Sequence, residues 1–507
     1  MSISSSPAVR ICCALSAALC MALSSSEVHA DVRVVQVTAR MAALGTDLQL
    51  GDVLATASGP SLTPQMFRQL EWTMAQSGPL ALQRQRAGQW QSVTLPAGEW
   101  AVDVVDVDAQ PGTATLDVSN AAQRESQLRE RWRQARQRSA SSAAWGIALL
   151  RELARHGNAT DIQTLLPEVF ADASEAERVA ALYAVHSALT PQALRDWTQQ
   201  AQASSPALAS DPALVNLTIL AYAQLRDLPA TESNATALFE DQADSLWGMR
   251  AALALALNAF RQQDPAGAEA WLAKAEALAA RIAPKGLDAA NAQVLRGVID
   301  DRLGRPGGMA TLENGLQRLR VLDPNSPAHG RAAFNAHFIA LSQTPRDLIL
   351  AERYAREALE VMGRAAPASN AHAQARAALA DVLWRQLQLT EAELLFTQAW
   401  RDSKALDPVS YETLSTRLQL AQVWHAQGRF DEAIAASRDI EAAWANLPAD
   451  HPVRGMSLLQ DLLRFRAGWY LDAGDGAAAQ ADLTAALHLS NKPARPDLIL
   501  LLADAER

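Results

Sequence analysis

The chain has 507 residues, 49% of them apolar, which is enough for two or three domains with their own cores and too much for a disordered tail. Its formal charge of −10 argues against a general nucleic-acid binder, whose footprint is a strongly basic face. The cysteines, Cys12, Cys13 and Cys20, all fall near the N-terminus, so beyond them disulfides, thiolate chemistry and cysteine-ligated zinc are excluded together.

Residues 1–30 read as a secretory signal peptide. Arg10 supplies the positive charge, Ile11 to Leu23 form an apolar and small-residue run, and Val28-His29-Ala30 offers a cleavage point before Asp31. The run is too short to span a bilayer, which takes roughly 20 residues, so no stable membrane span is expected. The expected location is periplasmic or secreted.

Residues 31–119 alternate like strands at Val32, Val34, Val35 and Val37, at Leu80 and Leu82, at Val93 and Leu95, and at Val102, Val104, Val105 and Val107. Between them Met66, Phe67, Leu70 and Met74 stand at helical spacing over Thr63 to Gln76, with Pro64 at a start position. This predicts a small α+β domain. Asp106 to Asp117 places oxygen ligands as a calcium loop would, but Pro111 takes the place of the glycine that such a loop needs, and no metal or other cofactor is expected.

The order Val37, Met41-Ala42-Ala43, Leu48, Gly51-Asp52-Val53-Leu54, Gly59 and Leu62, then the helix, then Gly78-Pro79-Leu80-Ala81-Leu82 and the Arg84-to-Gly88 hairpin, resembles the PDZ domains of bacterial secreted proteases and secretion proteins. The resemblance implies peptide binding by strand addition beside Val34, Val35 and Val37, facing the helix of Met66 and Leu70. The Gly-rich loop that holds a peptide's terminal carboxylate in that family has no counterpart ahead of Val34. The other reading is a small sheet that caps a helical array.

Asn120 to Arg138 predicts a polar helix. It carries Arg124, Arg129, Arg131, Arg133, Arg136 and Arg138 against Glu125 and Glu130, and reads as a solvated linker, with contact to an anionic membrane or partner as the alternative. Trp145 to Leu153, Glu175 to Leu189 and Ala213 to Leu225 predict irregular helix pairs up to about Arg250.

Over residues 251–507 a beat appears. Ala268, Ala310, Ala351, Ala392, Ala433 and Ala479 lie 42, 41, 41, 41 and 46 residues apart, the period of stacked helix-turn-helix units. In the best units a second alanine precedes the first by twelve, as in Ala380 with Ala392 and Ala421 with Ala433. Gly428 and Gly474 mark the turns between helices.

The Ala426-Gln427-Gly428-Arg429-Phe430-Asp431-Glu432-Ala433 turn, and links such as Leu406-Asp407-Pro408 and Leu447-Pro448, are similar to tetratricopeptide repeats of the kinesin-light-chain type over Leu253 to Leu489. The resemblance implies a mainly α fold, a right-handed helical-repeat superhelix (a TPR-like solenoid) behind the small PDZ-like domain, binding a protein or peptide on its concave surface. The asparagine pair of that family's groove is replaced here by Leu418-Gln419, Ala377-Ala378 and Arg464-Phe465. By repeat position the groove should present Asp381, Trp384, Arg385, Gln422, His425, Asp461, Arg464 and Asp472, a mixed-charge surface with Trp384 as an aromatic anchor.

No motif points to an enzyme. Beyond the signal segment, the histidines form no His-Glu-x-x-His pair, and there is no Gly-x-Ser-x-Gly elbow, phosphate loop or Ser-x-x-Lys pair. The sequence therefore predicts a non-catalytic scaffold or adaptor. The alternatives are a periplasmic enzyme or regulatory subunit fed by the PDZ-like domain, and a structural part of an envelope assembly.

Overall fold

In the computed structural model the residues described are 32–489, apart from 38, 57–61, 73, 99, 101, 107–120, 138–141, 156–157, 368 and 450. The expected signal peptide, and the calcium-like loop beyond Asp106, lie outside them. The fold is mainly helical, with one small sheet at its N-terminal end, and it divides into two compact units after Pro324.

The first unit opens with a five-stranded antiparallel sheet: β1 (Val32–Gln36), β2 (Val53–Ala55), β3 (Leu80–Arg86), β4 (Gln89–Leu95) and β5 (Asp103–Asp106), in the order β4-β3-β2-β1-β5. Ala87 and Gly88 close β3 onto β4 with positive φ at both positions, the two-residue turn whose twist matches the flanking strands. The valine alternation sends successive side chains to opposite faces. Val32, Val34, Val102 and Val104 enter the core shared with Phe67 and Trp100, while Val35 and Val105 enter the helical core on the other side.

Two short helices belong to the sheet, α1 (Ala39–Ala43) and α2 (Pro64–Trp72). The helix expected to run to Gln76 ends at Trp72 and resumes as a 3₁₀ turn, Met74–Gln76. The Thr63 hydroxyl accepts the Met66 N–H at 3.1 Å and Pro64 follows it, so sequence chemistry sets the start of α2.

Helix α3 (Ala121–Gln137) is not a solvated linker. Leu128, Trp132 and Ala135 are buried with α4 (Ser142–Arg155) and α5 (Ala159–Asp172), and the arginines of α3 find carboxylates on those helices. Arg124 donates to Glu152 at 2.6 Å, Arg136 reaches Asp172 at 3.1 Å, and Arg129 pairs with Asp161. Helices α6 (Glu175–Val185), α7 (Pro191–Ser204) and α8 (Pro206–Ala209) continue the same core.

From there the helices come in pairs joined by short turns. The first unit holds α9 (Pro212–Leu225) with α10 (Leu228–Asp241), α11 (Leu246–Arg261) with α12 (Pro265–Ile282), and α13 (Leu287–Arg302) with α14 (Gly308–Leu322). Arg250 lies inside α11, so pairing runs through the boundary expected there. The second unit holds α15 (Pro327–Ser342) with α16 (Leu348–Ala365), α17 (Asn370–Arg385) with α18 (Leu389–Leu406), α19 (Tyr411–Ala426) with α20 (Phe430–Ala445), and α21 (Leu458–Asp472) with α22 (Gly476–His488). Side-chain caps start these helices, among them Ser245, Ser326, Ser369, Ser410, Asp264, Asp347 and Asp475.

The alanine beat is the packing of each pair. Ala256 with Ala268, Ala380 with Ala392, Ala421 with Ala433 and Ala467 with Ala479 are wholly buried, because small side chains let the two backbones approach. Ala310 breaks the rule and is exposed. Its role passes to Gly297 and Gly308, which touch so closely that a Cβ on Gly297 would stand 2.5 Å from the Gly308 carbonyl oxygen. Neighbouring pairs are stitched by the glutamate after the beat: Glu269 accepts from Arg305 at 2.7 and 2.8 Å, Glu352 from Gln386 at 2.9 Å, and Glu393 from Gln427 at 3.0 Å and Arg429 at 2.7 Å.

Candidate functional site

In the second unit the first helices of successive pairs, α15, α17, α19 and α21, touch in sequence and make a continuous face. A helix presents one stripe to such a face, with residues three and four apart as neighbours. The structure brings seven of the eight expected groove residues into three clusters, and Gln422 stands apart from them.

On α17 Arg385 donates to Asp381 at 2.8 and 3.2 Å across one turn, and its guanidinium lies 5.5 Å from the Trp384 ring. Gln422, one repeat on from Asp381, is half-buried on α19. His425 stacks on Trp469 at 5.6 Å, meets Phe430 edge-on at 5.1 Å, and brings Nε2 to 3.0 Å from Asp472. At that approach Nε2 makes no hydrogen bond among the described residues. On α21 Arg464 lies over Phe465 at 4.2 Å and 3.8 Å from Asp461, which also accepts from the Ser457 hydroxyl at 2.8 Å.

Three residues of the same unit escape a reading by repeat position. The caps Ser326 and Ser369 set the register and place Phe338 where the next pair has Asp381. Phe338 is 48% exposed, packs edge-on against Phe334 at 5.0 Å and lies 4.1 Å from the ring of His337. His337 itself is only 1% exposed, its Nδ1–H donating to the Phe334 carbonyl and its Nε2 without a hydrogen-bond partner among the described residues. Burial pulls its pKa down to about 4, Asp381 opposing that shift and Arg385 adding to it. The spacing Phe334, His337, Phe338 is the signal that would have found them.

The sheet domain does not offer the expected peptide slot. β1 is an interior strand, paired with β2 on one side and with β5 on the other, and the place beside it that faces α2 is filled by the chain's own β5. Val34 and Val35 are buried, and Val37, Met66 and Leu70 are half-buried against the sheet core. An added strand needs a free strand edge, and β1 has a neighbouring strand on each side.

No group of histidine, cysteine and carboxylate residues able to hold a metal occurs among the described residues, and no helix among them is long and apolar enough to cross a membrane.

No protein-family model matches the chain, and no curated protein matches it. Solved structures do. A tetratricopeptide repeat protein from Parabacteroides merdae is 15% identical, with a TM-score of 0.38, covering 58% of this chain and 99% of its own. PilW, a widely conserved type IV pilus biogenesis factor, is 17% identical, with a TM-score of 0.37, covering 50% and 98%. A Rap protein complexed with competence and sporulation factor is 12% identical, with a TM-score of 0.41, covering 72% and 94%. The chain is a helical-repeat protein with tetratricopeptide-like pairs behind a small N-terminal sheet, and that description stands on its own alanine beat, caps and pairings.

Proposed function

We propose that this chain is a non-catalytic scaffold or adaptor that binds a peptide or protein on the α15–α17–α19–α21 face, in the periplasm or outside the cell. The observation that carries the reading is an exposed aromatic, Phe338, on the same face as the Asp381–Arg385 ion pair and the close approach of His425 to Asp472. Pairs of this kind can exchange partners with a ligand, and a half-exposed aromatic offers an anchor. The apolar and small-residue run before Asp31 supports export. The sheet domain acts in this reading as a cap on the helices, since Val34, Val35, Val104 and Val105 are buried in the β1–β5 pair and the place beside β1 is filled.

The test is affinity capture from the envelope fraction, using the mature chain beside a variant carrying Arg385→Ala, His425→Ala and Arg464→Ala. A partner held by the parent and lost by the variant supports the face as the binding site. Equal retention would move the site elsewhere, and the absence of any partner would sink the scaffold reading.

A further inference from the structure

Several arginines of the second unit hold carboxylates. Arg376 on α17 pairs with Asp402 on α18, and Arg466 on α21 is gripped by Asp482 at 2.7 Å through two nitrogens and by Glu441 at 2.6 Å. Arg417 on α19 does not. It stands 41 residues after Arg376, at the same repeat position, but the residue 41 after Asp402 is Ala443. Among the described residues no hydrogen bond or ion pair reaches its guanidinium.

Two tryptophans take the space instead. The Arg417 guanidinium lies 4.4 Å from the Trp400 ring centre and 4.8 Å from that of Trp424, where the preceding repeat has Leu359 and Leu383. The Lys404 ammonium stands 5.0 Å from the same Trp400 ring, also without a carboxylate among the described residues. Burial pulls the Arg417 pKa below its ordinary value, and Asp439 opposes this only across space.

A guanidinium resting on indole rings leaves its N–H edge to form hydrogen bonds, and that edge fits a carboxylate through two parallel hydrogen bonds. Indole faces also hold the cation in place without neutralising it. We propose that Arg417, over the rings of Trp400 and Trp424 and beside Lys404, is a subsite for a carboxylate of an acidic peptide segment. The two cations suit a run of acidic side chains better than a single one. The proposal rests on the reading that the second unit binds peptides, but not on the Asp381-to-Asp472 face.

The test is calorimetric titration of the full mature chain with tetraglutamate and tetraglutamine peptides, each acetylated, in amidated and free-acid forms, at low salt. Binding of amidated tetraglutamate but not of amidated tetraglutamine is expected. Binding of the free-acid glutamine peptide as well would keep the carboxylate chemistry and assign it to a chain terminus. Ala443→Asp supplies the carboxylate that the neighbouring repeat has, so it should weaken tetraglutamate at least tenfold while raising the melting temperature, which separates occlusion of the site from misfolding. Arg417→Gln should weaken binding to the same degree. The Arg385→Ala, His425→Ala, Arg464→Ala variant should bind tetraglutamate as the parent does. Unchanged binding by Ala443→Asp, or loss confined to the triple variant, overturns the subsite, and the second result would leave the face reading intact.

Discussion

Arg68 of α2 donates to Asp103 of β5 at 2.8 Å in the interior of the first unit, where both side chains are almost wholly enclosed. Glu71 completes the cluster, accepting from Arg68 at 3.0 Å and from the Trp100 N–H at 2.7 Å, and Arg151 of α4 pairs with Asp103 from the helical side. The cluster fastens β5 between α2 and α4, and so keeps a strand of the chain itself in the slot beside β1. Removing one partner leaves buried cations uncompensated. Asp103→Ala should therefore cost about 3–5 kcal/mol in urea unfolding. A loss below about 1 kcal/mol, the scale of an exposed pair, would show that the cluster does not fasten the strand.

Local patterns were legible where their cause is local. The alanine pairs of the later repeats and the turns at Gly428 and Gly474 follow from close helix approach and from positive φ, both visible as residue types at fixed spacing. Ala310 kept the beat by coincidence, because the close contact belongs to Gly297 and Gly308. Long-range pairing was not legible. β5 meets β1 across some seventy residues, and the valine alternation does not say which strand fills which edge. Helix α3 read as a solvated arm because Glu152, Asp161 and Asp172, which neutralise its arginines, lie about thirty residues downstream on other helices. On the α15–α17–α19–α21 face, Asp381 and Arg385 are four apart and could have been read as an internal pair.

Leu387 turns the chain from α17 into α18 with φ +63°, and its side chain is 79% exposed. The next repeat has Gly428 at the same position, φ +79°. The left-handed conformation costs a non-glycine residue roughly 1–2 kcal/mol, offset in part by the greater freedom glycine loses on folding. Leu387→Gly should stabilise the second unit by about 0.5–1 kcal/mol, and Gly428→Ala should destabilise it by about 1 kcal/mol. Urea midpoints that moved in the same direction for both would defeat this account.

Gly297 is held by contact and not by backbone conformation. A methyl group there would meet the Gly308 carbonyl oxygen at 2.5 Å and the Leu312 Cβ at 2.6 Å, both on the facing helix α14. Since backbone cannot swing aside as a flexible side chain does, Gly297→Ala should push α13 and α14 apart and cost about 1–3 kcal/mol. Amide exchange would be expected to speed up in these two helices first. Gly468, with nothing near its missing Cβ, is the control, and Gly468→Ala should be neutral or slightly stabilising.

His337 makes the second unit sensitive to acid. Buried beneath Phe338, with Asp381 and Arg385 as the charges facing it, it stays neutral in the folded chain down to about pH 4, whereas an unfolded histidine takes up a proton near pH 6.5. Between those values the unfolded chain binds more protons than the folded one. The contribution is therefore fully present above pH 6.5 and is lost as pH falls towards 4. The loss should reach about 2 kcal/mol by pH 5, at roughly 1.4 kcal/mol for each unit of pH below the unfolded value. His372, whose pKa burial also lowers, adds in the same direction, so the measurement is a difference. Urea unfolding at pH 7.5 and pH 5 should show a larger fall for the parent than for His337→Leu, and equal falls would remove His337 as the cause.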